Sequence, residues 1–340
     1  MRRTVVPITL SLLLLLLLSG CATSTGTTSP PSWLDRPYDK SYSEAEYLVA
    51  VGSGSTREQA VDAARSALSQ IFKSEVRSVT ELTTYSTSTT DEAGQSTFTQ
   101  AAEMLEMGRV SSTTDALIAS EVANVYTDPL ARVHARVVMN RAKSVELYRG
   151  EVQQLALQRS ALRTRRLMTG DRLAQYVLLL EELGLGQIEQ GFLDQIQVLT
   201  GKSQAQVVLP ISQELRALAS TITVDIELDA PESARALLRA AFEAALQGLG
   251  FATVHDHGAY HLQVVYSAEE VVMEKSPYHY VRYNLNSQLG GDSIVYFSHS
   301  SGGREAALGS GEAWARAQRT AASDGVSEFL ARLLQDLATQ

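Results

Sequence analysis

Three histidines that lie close together are the first candidates for chemistry. His255, His257 and His261 flank the segment Asp256-His257-Gly258, and alternation along a strand would place His255 and His257 on one side, as a shared metal ion requires. The same segment has residues that are typical of a hairpin turn, and no cysteine is available to complete a set of metal ligands. We therefore favour a turn, and predict neither a metal site nor a cofactor.

A glycine-containing loop is the second candidate. Gly52-Ser-Gly54-Ser-Thr lies between a strand pattern and a helix pattern, where backbone amides could bind a phosphate. The third glycine of such a loop is missing, because Arg57 occupies its position, and no Lys-Ser/Thr pair follows. We interpret the loop as a tight turn followed by a capping box at Ser55-Thr-Arg-Glu58.

The serine of Gly291-Asp292-Ser293-Ile294 is the third candidate, since this segment superficially resembles the nucleophile block of GDS-type esterases. Those enzymes need a histidine delivered by a later Asp-x-x-His, and no such motif follows here. A Gly-x-Ser-x-Gly elbow is also missing from the sequence. We predict no catalytic residue and no enzymatic activity.

The amino terminus carries the clearest pattern. Arg2 and Arg3 precede the apolar run Val5 to Leu18, which at about 14 residues is too short for a membrane-spanning helix and is typical of a secretory signal peptide. Leu18-Ser19-Gly20-Cys21 resembles the bacterial lipobox. The resemblance implies that the Cys21 thiol is acylated and that a signal peptidase cleaves between Gly20 and Cys21, which removes residues 1–20.

Cys21 is the only cysteine in the chain, so an intrachain disulfide is impossible and the fold must depend on its hydrophobic core. Two or more acyl chains hold a protein stably on a bilayer, and we expect the membrane to be bound through this lipid anchor. Residues 21–32 contain no large apolar side chain beyond the anchor itself and are predicted to form a flexible tether. Ala22, where an Asp would favour the inner membrane, indicates the outer membrane, at its periplasmic face.

The charge of the chain limits its partners. The formal net charge is −9, with 29 Lys and Arg against 38 Asp and Glu, and loss of Arg2 and Arg3 with the signal peptide makes it −11. Nucleic acid is therefore not expected as a partner. We expect other envelope proteins as partners and make no prediction of the oligomeric state.

Residues 33–145 show alternating strand and helix patterns. Tyr47 to Gly52 is an apolar run rich in strand formers. A helix is predicted from Thr56, with an apolar stripe that would cover a sheet. This stripe consists of Ala60, Ala64, Ala67, Leu68, Ile71 and Phe72.

Two further patterns complete this part of the chain. The Ser- and Thr-rich stretches Val79 to Thr90 and Gln95 to Thr114 predict exposed strands or a hairpin. A second hairpin is predicted from Leu117 to Tyr126 and Arg132 to Met139, around the turn residues Thr127-Asp128-Pro129. Alternation along its second strand predicts one solvent-exposed face, formed by Arg132, His134 and Arg136.

The middle of the chain, residues 141–200, is predicted to be helical. Joints are expected near Thr169-Gly170-Asp171 and around Gly184-Leu-Gly186. Arg159, Arg163 and Arg166 share one helical face. We interpret this face as solvated, with a surface for an acidic partner as the alternative.

The last part of the chain is predicted to be a second α/β unit with the order β-α-β-β-β-β-α. Thr221 to Leu228 alternates as a strand, and Asp229-Ala-Pro231-Glu232 is typical of a helix start. Tyr278, Tyr280 and Tyr283 are interpreted as a packed sheet face, with a binding patch as the alternative. The predicted fold class is α+β: two α/β sandwich domains with mainly antiparallel sheets, at residues 33–145 and 216–340, joined by a helical connector at 146–215.

Several of these features together resemble the Lpp-twenty family of bacterial outer-membrane lipoproteins. They are the lipobox, Pro31-Ser32-Trp33, the strand from Tyr47 with its glycine exit, the Ala-rich helix and the late hairpin. The resemblance covers about residues 21–145 and implies a non-catalytic structural or assembly role in the outer membrane or the flagellar envelope. The C-terminal part resembles no family that we recognise, so a ligand-binding or hydrolytic lipoprotein that uses this part is the alternative.

Overall fold

The computed structural model describes residues 29–88, 119–291 and 294–337. Within these ranges two β-sheets are linked by three helices. The predicted signal peptide, the lipid attachment site Cys21 with its cleavage site after Gly20, and Ser293 lie outside the described residues. The strands predicted between Gln95 and Thr114 also lie outside them.

The N-terminal sheet is antiparallel and has the strand order β1-β3-β2. The hairpin predicted around Asp128 is confirmed, and the Asp128 carboxylate closes its turn by accepting hydrogen bonds from the backbone N–H groups of Leu130 and Arg132 at 2.9 and 2.8 Å. The strands are β1 (Tyr47–Gly54), β2 (Ser120–Thr127) and β3 (Val133–Asn140).

Helix α1 (Arg57–Ser88) covers one face of this sheet. Most of the predicted stripe is buried there, but Ile71 is 42% exposed. The strand predicted from Val79 is wrong as far as Ser88, where α1 ends. Strand propensity is a weak preference, and extending a helix that has already formed costs far less than nucleating one.

The other face of the N-terminal sheet is covered by the chain that precedes β1. The Arg136 guanidinium donates a hydrogen bond to Asp39 at 2.7 Å and lies over the ring of Tyr42 at 4.6 Å. Arg136 is only 3% exposed, and its hydrogen bond holds the pKa of the Asp39 carboxyl below its usual value. The prediction of a solvent-exposed face is therefore wrong at Arg136, because the residues that cover it lie almost one hundred positions earlier in the chain.

The linking helices are α2 (Arg141–Met168), α3 (Arg172–Thr200) and α4 (Val208–Ala219). The joint predicted at Thr169-Gly170-Asp171 is confirmed. The second predicted joint is wrong, because α3 runs through Gly184 and Gly186 without a break. A Cβ atom at Gly186 would lie 2.9 Å from Cδ1 of Ile211 on α4, so this glycine allows two helices to pack closely.

The C-terminal sheet has the order β5-β4-β6-β7-β8. Strand β4 pairs in parallel with β5 and β6, whereas the long strands β6, β7 and β8 are antiparallel. The predicted α+β fold class is confirmed. The elements are β4 (Thr223–Asp229), α5 (Glu232–Gly248), β5 (Ala252–Val254), β6 (Tyr260–Val271), β7 (His279–Gly290), β8 (Val295–Ala307), α6 (Ser310–Thr320), a π-helical turn (Ala321–Gly325) and α7 (Val326–Leu337).

Helix α3 contributes side chains to two hydrophobic cores. Tyr176 and Leu179 are fully buried in the core of the C-terminal sheet, whereas Ile196 and Leu199 are buried in the core of the N-terminal sheet. The helical segment predicted as a connector is thus part of both packed regions. No helix among the described residues is both long enough and apolar enough to cross a bilayer.

Candidate functional site

One face of the C-terminal sheet is left uncovered by the described residues, and we call it the open face. Helices α5, α6 and α7 pack on the opposite face, where every second strand residue, such as Leu262 and Leu285, is buried. The side chains between them point to the open face. Those that are exposed and uncharged include Gln263, Ser267, Asn284, Asn286, Ser298 and Ser300.

The pairing of the strands arranges these side chains in rows. Gln263, Gln288 and Ser298 lie in one row across β6, β7 and β8. Val265, Asn286 and Ser300 form the next row. The centre of the open face is therefore a panel of amides and hydroxyls that can both donate and accept hydrogen bonds.

The three candidate histidines lie in two places, His261 on strand β6 and the other two in the turn before it. The Nδ1 atom of His261 lies 2.5 Å from Asp225 Oδ1 at one margin of the open face, because β4 and β6 pair these residues side by side. His257 lies in the turn before β6 with φ +60°, and His255 is an exposed neighbour. Among the described residues no group of three His, Cys, Asp or Glu side chains is placed to hold a metal ion.

The three tyrosines do not form one sheet face. Tyr283 is buried under the helices, whereas Tyr280 lies on the open face, with the Arg304 guanidinium 5.3 Å from its ring centre. Tyr278 precedes β7 and is 48% exposed. The predicted packed face is wrong because residues three apart on a strand point to opposite sides.

The face shared by Arg159, Arg163 and Arg166 is solvated as predicted only at Arg163, whose side chain is 52% exposed, whereas Arg159 and Arg166 are largely covered. These arginines of α2 pair with carboxylates of α3 and α4, and we call this set the arginine cluster. Nitrogen–oxygen distances are 2.6 Å from Arg159 to Glu189, 3.1 Å from Arg163 to Glu182 and 2.7 Å from Arg166 to Glu214. Glu182 is 1% exposed and Glu189 is 4% exposed, so the acidic partner surface weighed in the sequence lies within the same chain.

A second polar junction, which sequence patterns did not indicate, joins α3 to the C-terminal sheet. Asp171 caps α3 by accepting a hydrogen bond from the backbone N–H of Ala174 at 2.7 Å. Its other oxygen accepts hydrogen bonds from the hydroxyls of Tyr260 and Tyr296 at 3.0 and 2.7 Å. Burial, with the Asp171 carboxylate acting in the same direction, raises the pKa of Tyr296 to about 12 and also raises the pKa of Tyr260.

Two neighbouring cavities meet at Tyr296. The smaller, of about 270 Å³, has a floor of aliphatic side chains that includes Val177 and Leu178. The larger, of about 430 Å³, is lined by Asp171 and Tyr260. Neither is lined by His255 or His257.

The two glycines predicted to form a loop, Gly52 and Gly54, lie instead in the last residues of β1 and pair with β3. A Cβ atom at Gly52 would overlap the backbone of Ala63 and Ala64, so α1 fills the space beside this end of β1. The cap of α1 lies one residue later than predicted. The Thr56 hydroxyl accepts from the Gln59 N–H at 3.2 Å, and the Gln59 side chain accepts from the Ser55 N–H at 3.1 Å.

The structure is thus an α+β protein in which a small antiparallel sheet and a larger mixed sheet share one long helix. The model of the LPP20 lipoprotein family matches residues 31–140, a segment that contains β1, α1, β2 and β3. This match confirms the resemblance predicted for about residues 21–145, and the N-terminal part of the chain is therefore similar to the LPP20 lipoproteins.

Two solved structures are similar to parts of the chain. A minor lipoprotein from Acinetobacter baumannii is 15% identical with a TM-score of 0.28, and the match covers 34% of this chain and 94% of that protein. A secreted protein from Helicobacter pylori is 14% identical with a TM-score of 0.35, and the match covers 86% of this chain and 99% of that protein. Among curated proteins none gives a match.

Proposed function

We propose that this chain is a lipid-anchored protein of the outer membrane that faces the periplasm and has a non-catalytic structural or assembly role, in the outer membrane or the flagellar envelope. The observation that supports a role in binding other proteins is the open face of the C-terminal sheet. It presents amide and hydroxyl groups from three paired strands, and it is free of covering helices among the described residues. Interfaces between proteins that also exist apart are about as polar as the rest of the protein surface, so a polar face can serve as one.

The anchoring part of the proposal is supported by the lipobox before Cys21 and by the LPP20 match that begins ten residues later, at residue 31. We expect Cys21→Ala to release the protein from the membrane fraction, because the acyl chains would have no attachment point. The control is Ser24→Ala, which leaves the lipobox intact. If Cys21→Ala stayed in the membrane fraction after the membranes had been washed with high salt, the proposal would be contradicted.

Binding through the open face is testable in intact cells. A photoreactive amino acid at Asn286, in the centre of the open face, is expected to give discrete cross-linked products with other envelope proteins. The matched control is Gln247, which is exposed on α5, on the helical side of the sheet. The same products from both positions, or none from Asn286, would contradict a binding role for this face.

The alternative is a ligand-binding lipoprotein, and the cavity beside Tyr296 is the observation that favours it. Its volume of about 270 Å³ lies close to the lower limit for small-molecule sites, and its floor is apolar. If it binds a ligand, native mass spectrometry of the purified protein should show added mass. Val177→Trp, which fills the cavity, should abolish that added mass.

A further inference from the structure

The smaller cavity beside Tyr296 is bordered by two charged side chains that are not part of the arginine cluster. Arg165 of α2 and Glu181 of α3 both line this cavity. Neither side chain makes a hydrogen bond or an ion pair with any described residue. A guanidinium and a carboxylate therefore lie at one cavity, beyond ion-pair distance of each other.

The packing of α2 on α3 places these two charges at the same level of the helix pair. Arg163 and Arg166, which precede and follow Arg165 in the chain, both lie within ion-pair distance of Glu182, at 3.1 and 3.8 Å. Glu182 is the residue after Glu181. The two unpaired groups therefore lie near one another at the rim of the cavity, and the gap between them is open to a ligand.

The floor of the cavity is aliphatic. Leu173, Ala174, Val177 and Leu178 of α3 form it. Leu173 and Val177 are separated by about one helical turn, as are Ala174 and Leu178, so these side chains share one side of the helix. A water molecule takes up about 30 Å³ of the liquid, so a cavity of about 270 Å³ suits a molecule of about nine non-hydrogen atoms.

We propose that this cavity binds a free amino acid with an aliphatic side chain, in its zwitterionic form. The carboxylate of the ligand accepts hydrogen bonds from Arg165, because a planar guanidinium matches the two oxygens of a carboxylate. The ammonium group of the ligand donates to Glu181. Its side chain lies on the aliphatic floor of α3, where burial removes apolar surface from water.

The two rim charges decide between this ligand and simpler ones. A fatty-acid anion would bring its carboxylate close to Glu181, and an amine would bring its ammonium group close to Arg165, so each would meet a like charge. An amino acid carries both charges on one carbon and can therefore pair with both rim residues at once. The inference rests on the ligand-binding alternative above, and it depends neither on the lipid anchor nor on the open face.

Calorimetric titration of the purified full chain with three related compounds tests the proposal. L-leucine carries both charges, 4-methylpentanoate lacks the ammonium group, and 3-methylbutan-1-amine lacks the carboxylate, whereas all three share the branched aliphatic chain. Because each charge has its own partner at the rim, we expect L-leucine to bind roughly tenfold more tightly than either analogue. No binding of L-leucine, or equal affinities for the three compounds, would overturn the proposal.

Two single substitutions at the rim assign the charges. Arg165→Gln should weaken the binding of L-leucine roughly tenfold but should not weaken that of 3-methylbutan-1-amine, which has no group for Arg165 to bind. Glu181→Gln should weaken the binding of L-leucine to a similar extent but should not weaken that of 4-methylpentanoate. The control is Arg149→Gln, on an exposed part of α2 about 24 Å farther along the helix, which should bind L-leucine as the parent does.

Each outcome separates this inference from the ligand-binding alternative. If either rim variant bound L-leucine as tightly as the parent, the proposed roles of the two charges would be wrong. If L-leucine did not bind but native mass spectrometry still showed added mass, this ligand class would be excluded while a ligand-binding cavity remained. If neither method showed a ligand, both proposals would fail.

Discussion

The hydroxyl of Tyr260 lies 3.0 Å from Oδ2 of Asp171, although 89 residues separate them in the chain. Tyr260 is the first residue of β6, and Asp171 caps α3. The same hydroxyl accepts a hydrogen bond from the backbone N–H of Leu173 at 2.9 Å. The first turn of α3 is therefore tied to the C-terminal sheet through a single carboxylate and its tyrosine partners.

This relationship predicts a large effect of Asp171→Ala. The variant loses the cap of α3 and leaves the hydroxyls of Tyr260 and Tyr296 without their acceptor, so we expect the free energy of unfolding to fall by about 2–3 kcal/mol. Urea denaturation followed by circular dichroism measures it. Asp256→Ala, in an exposed turn, serves as the control, and equal destabilisation by both variants would show that the Asp171 junction contributes little.

The raised pKa of Tyr296 predicts a decrease in stability at alkaline pH. Its folded-state pKa of about 12 lies above the unfolded value near 10, so the unfolded chain loses this proton first as the pH rises. The stability linked to this hydroxyl is fully present below about pH 10 and is lost between about pH 10 and 12. Tyr296→Phe should therefore be less stable at pH 8 but should lose stability less steeply above pH 10. The control is Tyr278→Phe. If the free energy of unfolding of Tyr296→Phe fell with pH above 10 as steeply as that of the parent and of the control, this expectation would be contradicted.

The arginine cluster predicts that Glu182 contributes strongly to stability. Glu182→Gln removes a buried negative charge that lies within ion-pair distance of Arg159, Arg163 and Arg166. Removing one member of a buried ion cluster leaves uncompensated charge, and we expect a loss of about 3 kcal/mol. Glu181→Gln, one position earlier on α3 and less buried, should change the free energy of unfolding by less than about 1 kcal/mol. Thermal unfolding of the two variants, measured side by side, checks the difference.

The close packing of Gly52 against α1 predicts that replacing glycine by alanine has opposite effects on stability at Gly52 and at Gly150. Gly52→Ala would force a methyl group into the backbone of α1, and overpacking of this kind should cost about 3 kcal/mol. Gly150→Ala lies on an exposed part of α2 with nothing within 4 Å of the added methyl group. It should stabilise the protein by up to about 1 kcal/mol, because alanine is the better helix former. Similar unfolding midpoints for the two variants would argue against close packing at Gly52.

Much of the secondary structure could be predicted from local patterns. The turn at Asp128, the joint before Asp171 and the start of α5 after Pro231 all follow from residues within a few positions of each other. Helix caps, turns and apolar periodicity are local interactions, so the sequence near each feature was sufficient. The lipobox around Cys21 is local in the same sense, and it carries the proposal of an anchor without any tertiary structure.

The surroundings of each polar face were decided by the tertiary structure alone. Arg136 and Arg159 have the spacing of solvated faces, yet each is covered by a segment distant in the chain, the first by the segment of Asp39 and the second by the helix that carries Glu189. The open face has the same alternation along its strands and remains uncovered by the described residues. Alternation specifies that two faces differ, but which of them meets water depends on elements far away in the sequence, and only the packed structure contains that information.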